Sequence, residues 1–222
     1  MDKHVVKVLK TDLVTHNVKR FVVEKPKGYT FISGQATDVS INIPELEDAL
    51  RPFTFTSVNG AENLEFIIKI YKGHDGITER LIDINAGSEL ILHEVFGTIH
   101  YKGHGLFIAA GAGITPFISI FRQLRLENKL EGNTLLFANR TEQDIILKSE
   151  LKEMLGENYV DVIEKPDAPG KPANFIDAEI LRKYVTVKPK YYYICGPDKF
   201  TSAMVNNLLE FGIGKSQIVI EE

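Results

Sequence analysis

The chain has 222 residues and a mass of 25.0 kDa, with 44% apolar and 25% charged residues; this is globular composition, long for one small domain and right for two, and it excludes a disordered chain. Lys+Arg 26 against Asp+Glu 30 leave a net charge of −4, spread evenly with no basic arm or acidic tail, which argues against nucleic acid as a partner. One cysteine excludes a disulfide framework and a four-thiolate cluster, and the histidines show no ligand spacing, so no metal is expected.

The start, Met1-Asp2-Lys3-His4-Val5-Val6-Lys7, carries no signal peptide. The longest uncharged run, residues 105–121, reaches the lower length of a membrane span. Its three glycines and Pro116 make it a buried strand, a glycine turn and a helix start instead. No membrane span and a cytoplasmic location are expected.

The first hundred residues read as β. Short β-branched or aromatic runs occur at 5–9, 18–23, 30–31, 39–43, 53–58, 64–71, 89–93 and 97–100. Turn signals separate them, among them Lys27-Gly28, Asn59-Gly60, Gly73-His74-Asp75-Gly76 and Ala86-Gly87. This pattern predicts a small antiparallel barrel. Past residues 101–105 it changes to alternating strands and helices. Strands are predicted at 106–110, 134–138, 160–164, 191–195 and 217–220, with helices at 116–126, 148–155, 177–184 and 199–211. Such alternation predicts a doubly wound parallel sheet. The expected domains are 1–102 and 103–222.

Six segments carry chemistry. Arg51-Pro52-Phe53-Thr54 stands at a strand start. The Arg51 guanidinium can hold a diphosphate, Phe53 shares its face and can pack on a flat ring, and Thr54 can donate to a ring nitrogen. Gly76-Ile77-Thr78-Glu79-Arg80-Leu81 reads as an anion site at a helix start, or as a simple turn with Thr78 as its cap. Between them, alternation places Ile67, Lys69 and Tyr71 on one face and Ile68 and Ile70 on the other.

In the second half, the first parallel strand runs into Gly111-Ala112-Gly113-Ile114-Thr115-Pro116. Small residues there let a diphosphate approach the backbone, and proline suits a first helical turn. The last long strand ends in Cys195-Gly196-Pro197, at the edge that faces the ligand crevice in such sheets. The strand before residue 140 ends in Asn139-Arg140-Thr141, with Asp144 close behind. Arginine there favours a 2′-phosphate and an acidic residue favours a free ribose, and this segment carries both charges.

Together these elements resemble the ferredoxin–NADP reductase superfamily over nearly the whole chain. Its R-x-Y-[S/T] motif is similar to residues 51–54, with Phe53 in place of tyrosine. Its G-x-x-[S/T]-x-x-L motif resembles the segment from Gly76, its nucleotide loop residues 111–116, and its C-G-P motif residues 195–197. Phe31-Ile32-Ser33-Gly34-Gln35 is similar to its F-x-x-G-Q strand end. Residues 135–147 look most like the NADH-cytochrome reductase branch, from which Arg140 departs. Many members close with an aromatic residue over the flavin, whereas here Glu221-Glu222 stand last.

The resemblance implies a fold of a six-stranded antiparallel β-barrel binding FAD, followed by a doubly wound NAD(P)-binding domain. It implies FAD and NAD(P)H as cofactors, with hydride passing from nicotinamide to flavin. Thr54 and Cys195 would be the catalytic residues. Arg51, Pro52, Phe53, Ile67, Lys69, Tyr71, Gly76, Ile77 and Thr78 would line the flavin. Residues 111–116, Asn139, Arg140, Asp144 and 195–197 would line the nicotinamide cofactor. Electrons would then leave singly to a separate acceptor, with a ferredoxin or flavodoxin preferred over a cytochrome or an oxygenase component. The expected state is a monomer or weak dimer. A non-catalytic flavin-binding sensor or regulatory subunit and a reductase of free flavin are the alternatives.

Overall fold

The computed structural model describes residues 3–71, 73, 76–165, 175–185 and 189–221. His74 and Asp75 of the expected turn lie outside them. The chain divides into two compact units, one of Met1–Gly97 with Thr115–Arg122, the other of Thr98–Ile114 with Gln123–Glu222.

The first unit holds β1 (His4–Thr15), β2 (Val18–Val23), β3 (Ala36–Ile41), β4 (Arg51–Thr54), β5 (Leu64–Lys69), the single-turn helix α1 (Ile77–Arg80) and β6 (Glu89–Phe96). The strands form one antiparallel sheet in the order β4-β3-β6-β1-β2-β5. Just past β4, Phe55 bridges Phe66 of β5, so the two edge strands meet and the sheet closes on itself. Closure leaves few unpaired edges. Alternation then sends Val6, Val8, Phe21, Val23, Leu90 and Leu92 inward. Phe55 lies at the centre of this core, stacked on Phe31 at 4.1 Å and tilted against Phe66 at 5.1 Å.

Several strands differ from the expected ones. Residues 30–31 are not a strand: Thr30 is exposed, and Phe31 is buried with its N–H bonded to the Asn59 side chain (3.1 Å) rather than to a ladder partner. Residues 97–100 likewise bury Ile99 without a ladder. The run at 53–58 becomes β4 at Arg51–Thr54, so the arginine motif is the strand itself. Pro52 is tolerated there because β4 stands at the end of the strand order. The run at 39–43 is replaced by β3, which ends at Ile41, and β5 ends at Lys69, leaving Tyr71 beyond it. β1 extends to Thr15. No Gly or Pro interrupts Lys10-Thr11-Asp12, and the hairpin ladder continues to the Thr15–Val18 pair.

The second unit is built on β7 (Gly105–Ala110), β8 (Thr134–Asn139), β9 (Tyr159–Ile163), β10 (Tyr191–Cys195) and β11 (Ile218–Val219). The helices α2 (Thr115–Leu126), α3 (Lys148–Leu155), α4 (Ala178–Val185) and α5 (Asp198–Glu210) alternate with the strands. The sheet is parallel, in the order β11-β10-β7-β8-β9. β7 is central and almost wholly apolar, with Leu106, Phe107, Ile108 and Ala109 buried. The chain winds outward from β7 through β8 to β9, then crosses back to β10. The order therefore reverses between β7 and β10, which makes their carboxyl ends the switch point where such sheets take ligands. Every helix and strand expected in this half is present, with ends moved by a residue or two. No helix among the described residues is long and apolar enough to cross a membrane.

Candidate functional site

Each unit carries its own cluster of the expected residues. On β4, Arg51 and Pro52 are exposed and Phe53 and Thr54 half-buried. Arg51 Nη1 donates to the Leu50 carbonyl at 2.7 Å. Phe53 packs against the barrel core, on the same strand face as Arg51. On β5, Ile67 is buried, as is Ile68 on the opposite face. Lys69 Nζ lies 5.9 Å from the centre of the Tyr71 ring, and Tyr71 is 49% exposed. Cation and ring thus pair with one another. Gly76 is the N-cap of α1 and has no side chain to cap it, and Thr78 lies inside the helix rather than at its cap position. Ile77 and Leu81 anchor the segment in the core.

In the second unit, the glycine loop expected to lead into a helix forms a 3₁₀ turn, Gly111–Ile114, running directly into α2 with Pro116 in its first turn. Gly111 opens the turn with a φ of +53°, a left-handed conformation that favours glycine, and right-handed helical backbone follows it. The unpaired amides of a helix start belong to this loop. Across the switch point, Cys195 pairs with Ala109. A β-carbon on Gly196 would come within 2.8 Å of the Phe200 ring and 3.0 Å of the Ala110 side chain. Pro197 is the N-cap of α5, and Thr201 Oγ1 donates to the Gly196 carbonyl at 3.3 Å. Gly113 and the C-G-P turn thus meet backbone to backbone.

A cavity of about 290 Å³ opens at this carboxyl end, lined by Cys195, Gly196, Asp198, Thr201, Ser202 and Glu221 together with Ile194. Burial pushes the Cys195 thiol up to about 12, and the charge of Glu221 adds to it. The sulfur is therefore a neutral thiol at physiological pH, not a thiolate nucleophile. Burial also raises the Glu221 carboxyl, against a hydrogen bond from the Thr98 backbone. Sequence reasoning missed Glu221 as a neighbour of Cys195. Its only signal was the proximity of two strand ends, which needs the sheet order.

At the end of β8, Asn139 is 6% exposed, and among the described residues neither its Oδ1 nor its Nδ2 has a hydrogen-bond partner. Arg140 is exposed. Asp144 Oδ2 accepts from the Thr141 amide (3.0 Å) and hydroxyl (2.7 Å), closing a capping box on the turn Glu142–Asp144. Asp144 thus has a local structural partner that the sequence did not reveal.

Comparison with known proteins agrees with this geometry. Residues 107–206 match the family described as the oxidoreductase NAD-binding domain. The chain is 27% identical to NADH–cytochrome b5 reductase 1 of Arabidopsis thaliana, over 93% of this chain and 79% of that protein. It is 29% identical to the reductase component of propane 2-monooxygenase from Rhodococcus jostii (strain RHA1), over 91% of this chain and 58% of that one. In fold it is similar to a ferredoxin NADP+ reductase from Neisseria gonorrhoeae solved with bound FAD and NADP. The TM-score is 0.84 at 17% identity, covering 100% of this chain and 98% of that one. Residues 107–206 are thus similar to an oxidoreductase NAD-binding domain, relatives over most of the chain are named as an NADH–cytochrome b5 reductase and a monooxygenase reductase component, and the fold is that of a ferredoxin NADP+ reductase.

Proposed function

We propose that the protein is an NAD(P)H-dependent flavoprotein reductase that passes electrons to a separate one-electron acceptor protein. The observation that carries this reading is the meeting of the Gly111–Ile114 turn with Cys195-Gly196 at the switch point of an NAD-binding sheet. When bound, FAD would accept a hydride from NAD(P)H and give up its electrons one at a time.

The residues present fit both groups. Asn139 offers a buried amide with both polar atoms unpaired, which suits the adenosine part of a nicotinamide cofactor. The 3₁₀ turn at Gly111 offers helix-start amides for its diphosphate. In the first unit, Arg51 and the uncapped Gly76 start of α1 suit the flavin diphosphate, and the half-buried Phe53 ring suits its isoalloxazine. We assign Thr54 a hydrogen bond to the flavin ring and Cys195 a place beside the nicotinamide. A thiol held neutral gives Cys195 a packing and orienting role, since it brings no charge to the reacting carbon. Orientation of this kind turns a two-body step into a one-body step.

Relatives named as a cytochrome b5 reductase and as the reductase component of a monooxygenase support a separate acceptor. The test is an absorption spectrum of the purified protein, followed by anaerobic titration with NADH and NADPH separately. A flavin spectrum that bleaches on addition of either is expected, and the more effective titrant reads the coenzyme preference. A colourless protein that takes up no FAD overturns the assignment.

A further inference from the structure

Lys19 breaks the pattern of its own strand. Alternation in β2 sets Lys19 on the inward face with Phe21 and Val23, where an apolar residue belongs. It is 5% exposed, and its Nζ sits 5.4 Å from the centre of the Phe21 ring. A buried ammonium needs partners, because it has given up its hydration. Lys19 finds them in one short stretch of backbone. Its Nζ donates to the carbonyls of Ile84 at 2.6 Å, Ile82 at 2.8 Å and, more distantly, Leu81 at 3.5 Å. Burial lowers the lysine's pKa, and the nearby Asp83 carboxylate opposes that shift.

Those carbonyls follow directly on Gly76-Ile77-Thr78-Glu79-Arg80-Leu81. Leu81 is the C-cap of α1, and the backbone continues in tight turns from Glu79 to Ile82, Arg80 to Asp83 and Leu81 to Ile84. The exit of a helix leaves carbonyls without amide partners, and a cation there is favourable. Ile77 and Leu81 hold the same segment from the core side. The segment is therefore fixed by an apolar anchor at one end and by one cation at the other.

We propose that Lys19 is a positioning residue for flavin binding: by gathering the carbonyls of residues 81–84 it holds the Gly76–Thr78 amides in the conformation that receives the FAD diphosphate. This rests on the assignment of FAD to the first unit. Lys19 lies in β2, far along the sequence from any recognised motif, and acts only through the segment it binds.

The test compares wild type with Lys19→Met and Lys19→Gln, each first checked for native far-UV circular dichroism. Apoprotein is titrated with FAD and, separately, with riboflavin, which has the ring and no phosphate. For Lys19→Met the FAD dissociation constant is expected to rise about tenfold or more, while that for riboflavin changes by less than about twofold. Lys19→Gln keeps a neutral donor and is expected to fall between. Hydrogen exchange of the amides of residues 77–84 is expected to accelerate in Lys19→Met without flavin present. Equal weakening of FAD and riboflavin would mean a general packing role and overturns the proposal, as does unchanged FAD affinity. If Lys19→Met does not fold, Lys19→Gln decides by the same two titrations. Wild-type protein that binds no FAD overturns the flavin assignment and the positioning role with it, and that result is read before any variant is made.

Discussion

Gly113 and Cys195 touch through their backbones: a β-carbon built on Gly113 would lie 2.3 Å from the Cys195 carbonyl oxygen and 2.6 Å from the Gly196 amide nitrogen. Nothing at either position can yield like a flexible side-chain tip, because both partners are main chain. Gly113→Ala is expected to push the nucleotide loop away from the strand end. Overpacking of this kind costs about 1–3 kcal/mol. Thermal denaturation should record that loss. Stopped-flow reduction by NAD(P)H should slow while flavin content stays unchanged, since the residues proposed for the flavin lie on other elements.

The Cys195 thiol gives a pH prediction. Its ordinary value is 9.0 and the fold raises it to about 12, chiefly through burial. Iodoacetamide at pH 9 should label the folded protein about a hundredfold or more slowly than free cysteine, because only the thiolate reacts. The same shift acts on stability. Between about 9 and about 12 the unfolded chain has released this proton and the native chain has kept it, so this group lowers stability as pH rises through that window. Labelling as fast as free cysteine would contradict the buried thiol.

Asn139 is expected to separate stability from binding. Its amide is buried and unpaired, so Asn139→Leu should leave the melting temperature unchanged or raise it, by up to about 2 kcal/mol of stability. The KM for the nicotinamide cofactor should rise about tenfold with little change in kcat, the mark of a contact made equally before and during reaction. A stability loss with unchanged KM would show the amide to be structural.

Arg51 carries little of the fold. It is exposed, and its side chain donates to the neighbouring Leu50 carbonyl. Arg51→Ala should therefore lower the flavin content of purified protein while urea midpoints stay within about 0.5 kcal/mol of wild type.

The first unit depends on one carboxylate. Glu65 Oε1 accepts from Arg122 Nη1 at 2.6 Å and from the Thr56 hydroxyl at 2.7 Å, and Arg122 also reaches the Thr56 carbonyl at 2.8 Å. Both charged side chains are largely shielded, at 15% and 21% exposed. Glu65→Gln leaves the Arg122 cation without its carboxylate and should cost about 2–3 kcal/mol in urea unfolding. The double variant Glu65→Gln, Arg122→Met should recover part of that.

The α/β half was legible in the sequence almost element by element. Its strands are unbroken apolar runs such as 106–109, and glycine or proline marks the turns beside them. The barrel was legible as a class but not strand by strand. Phe31 and Ile99 look like strand residues because they are buried, yet their neighbours' amides bond to side chains. The motifs at 51–54, 76–81, 111–116 and 195–197 could be read because each is short and local. Lys19 and Glu221 could not be, since their partners lie far away in sequence and come together only through the sheet order. Asp144 was visible as a charge, but its capping bond to Thr141 was not.

The order β11-β10-β7-β8-β9 has a consequence for synthesis. β7 is made before the other four strands, and β8 and β9 can cover one of its flanks as soon as they emerge. Its other flank has no partner until Tyr191 and the residues after it arrive. For the whole interval between, a buried strand of Leu106, Phe107, Ile108 and Ala109 presents a bare hydrogen-bonding edge, the kind that pairs with neighbouring chains. A nascent chain stalled short of β10 is thus expected to be aggregation-prone, and pairing with the strand that ends in Cys195 covers the exposed edge.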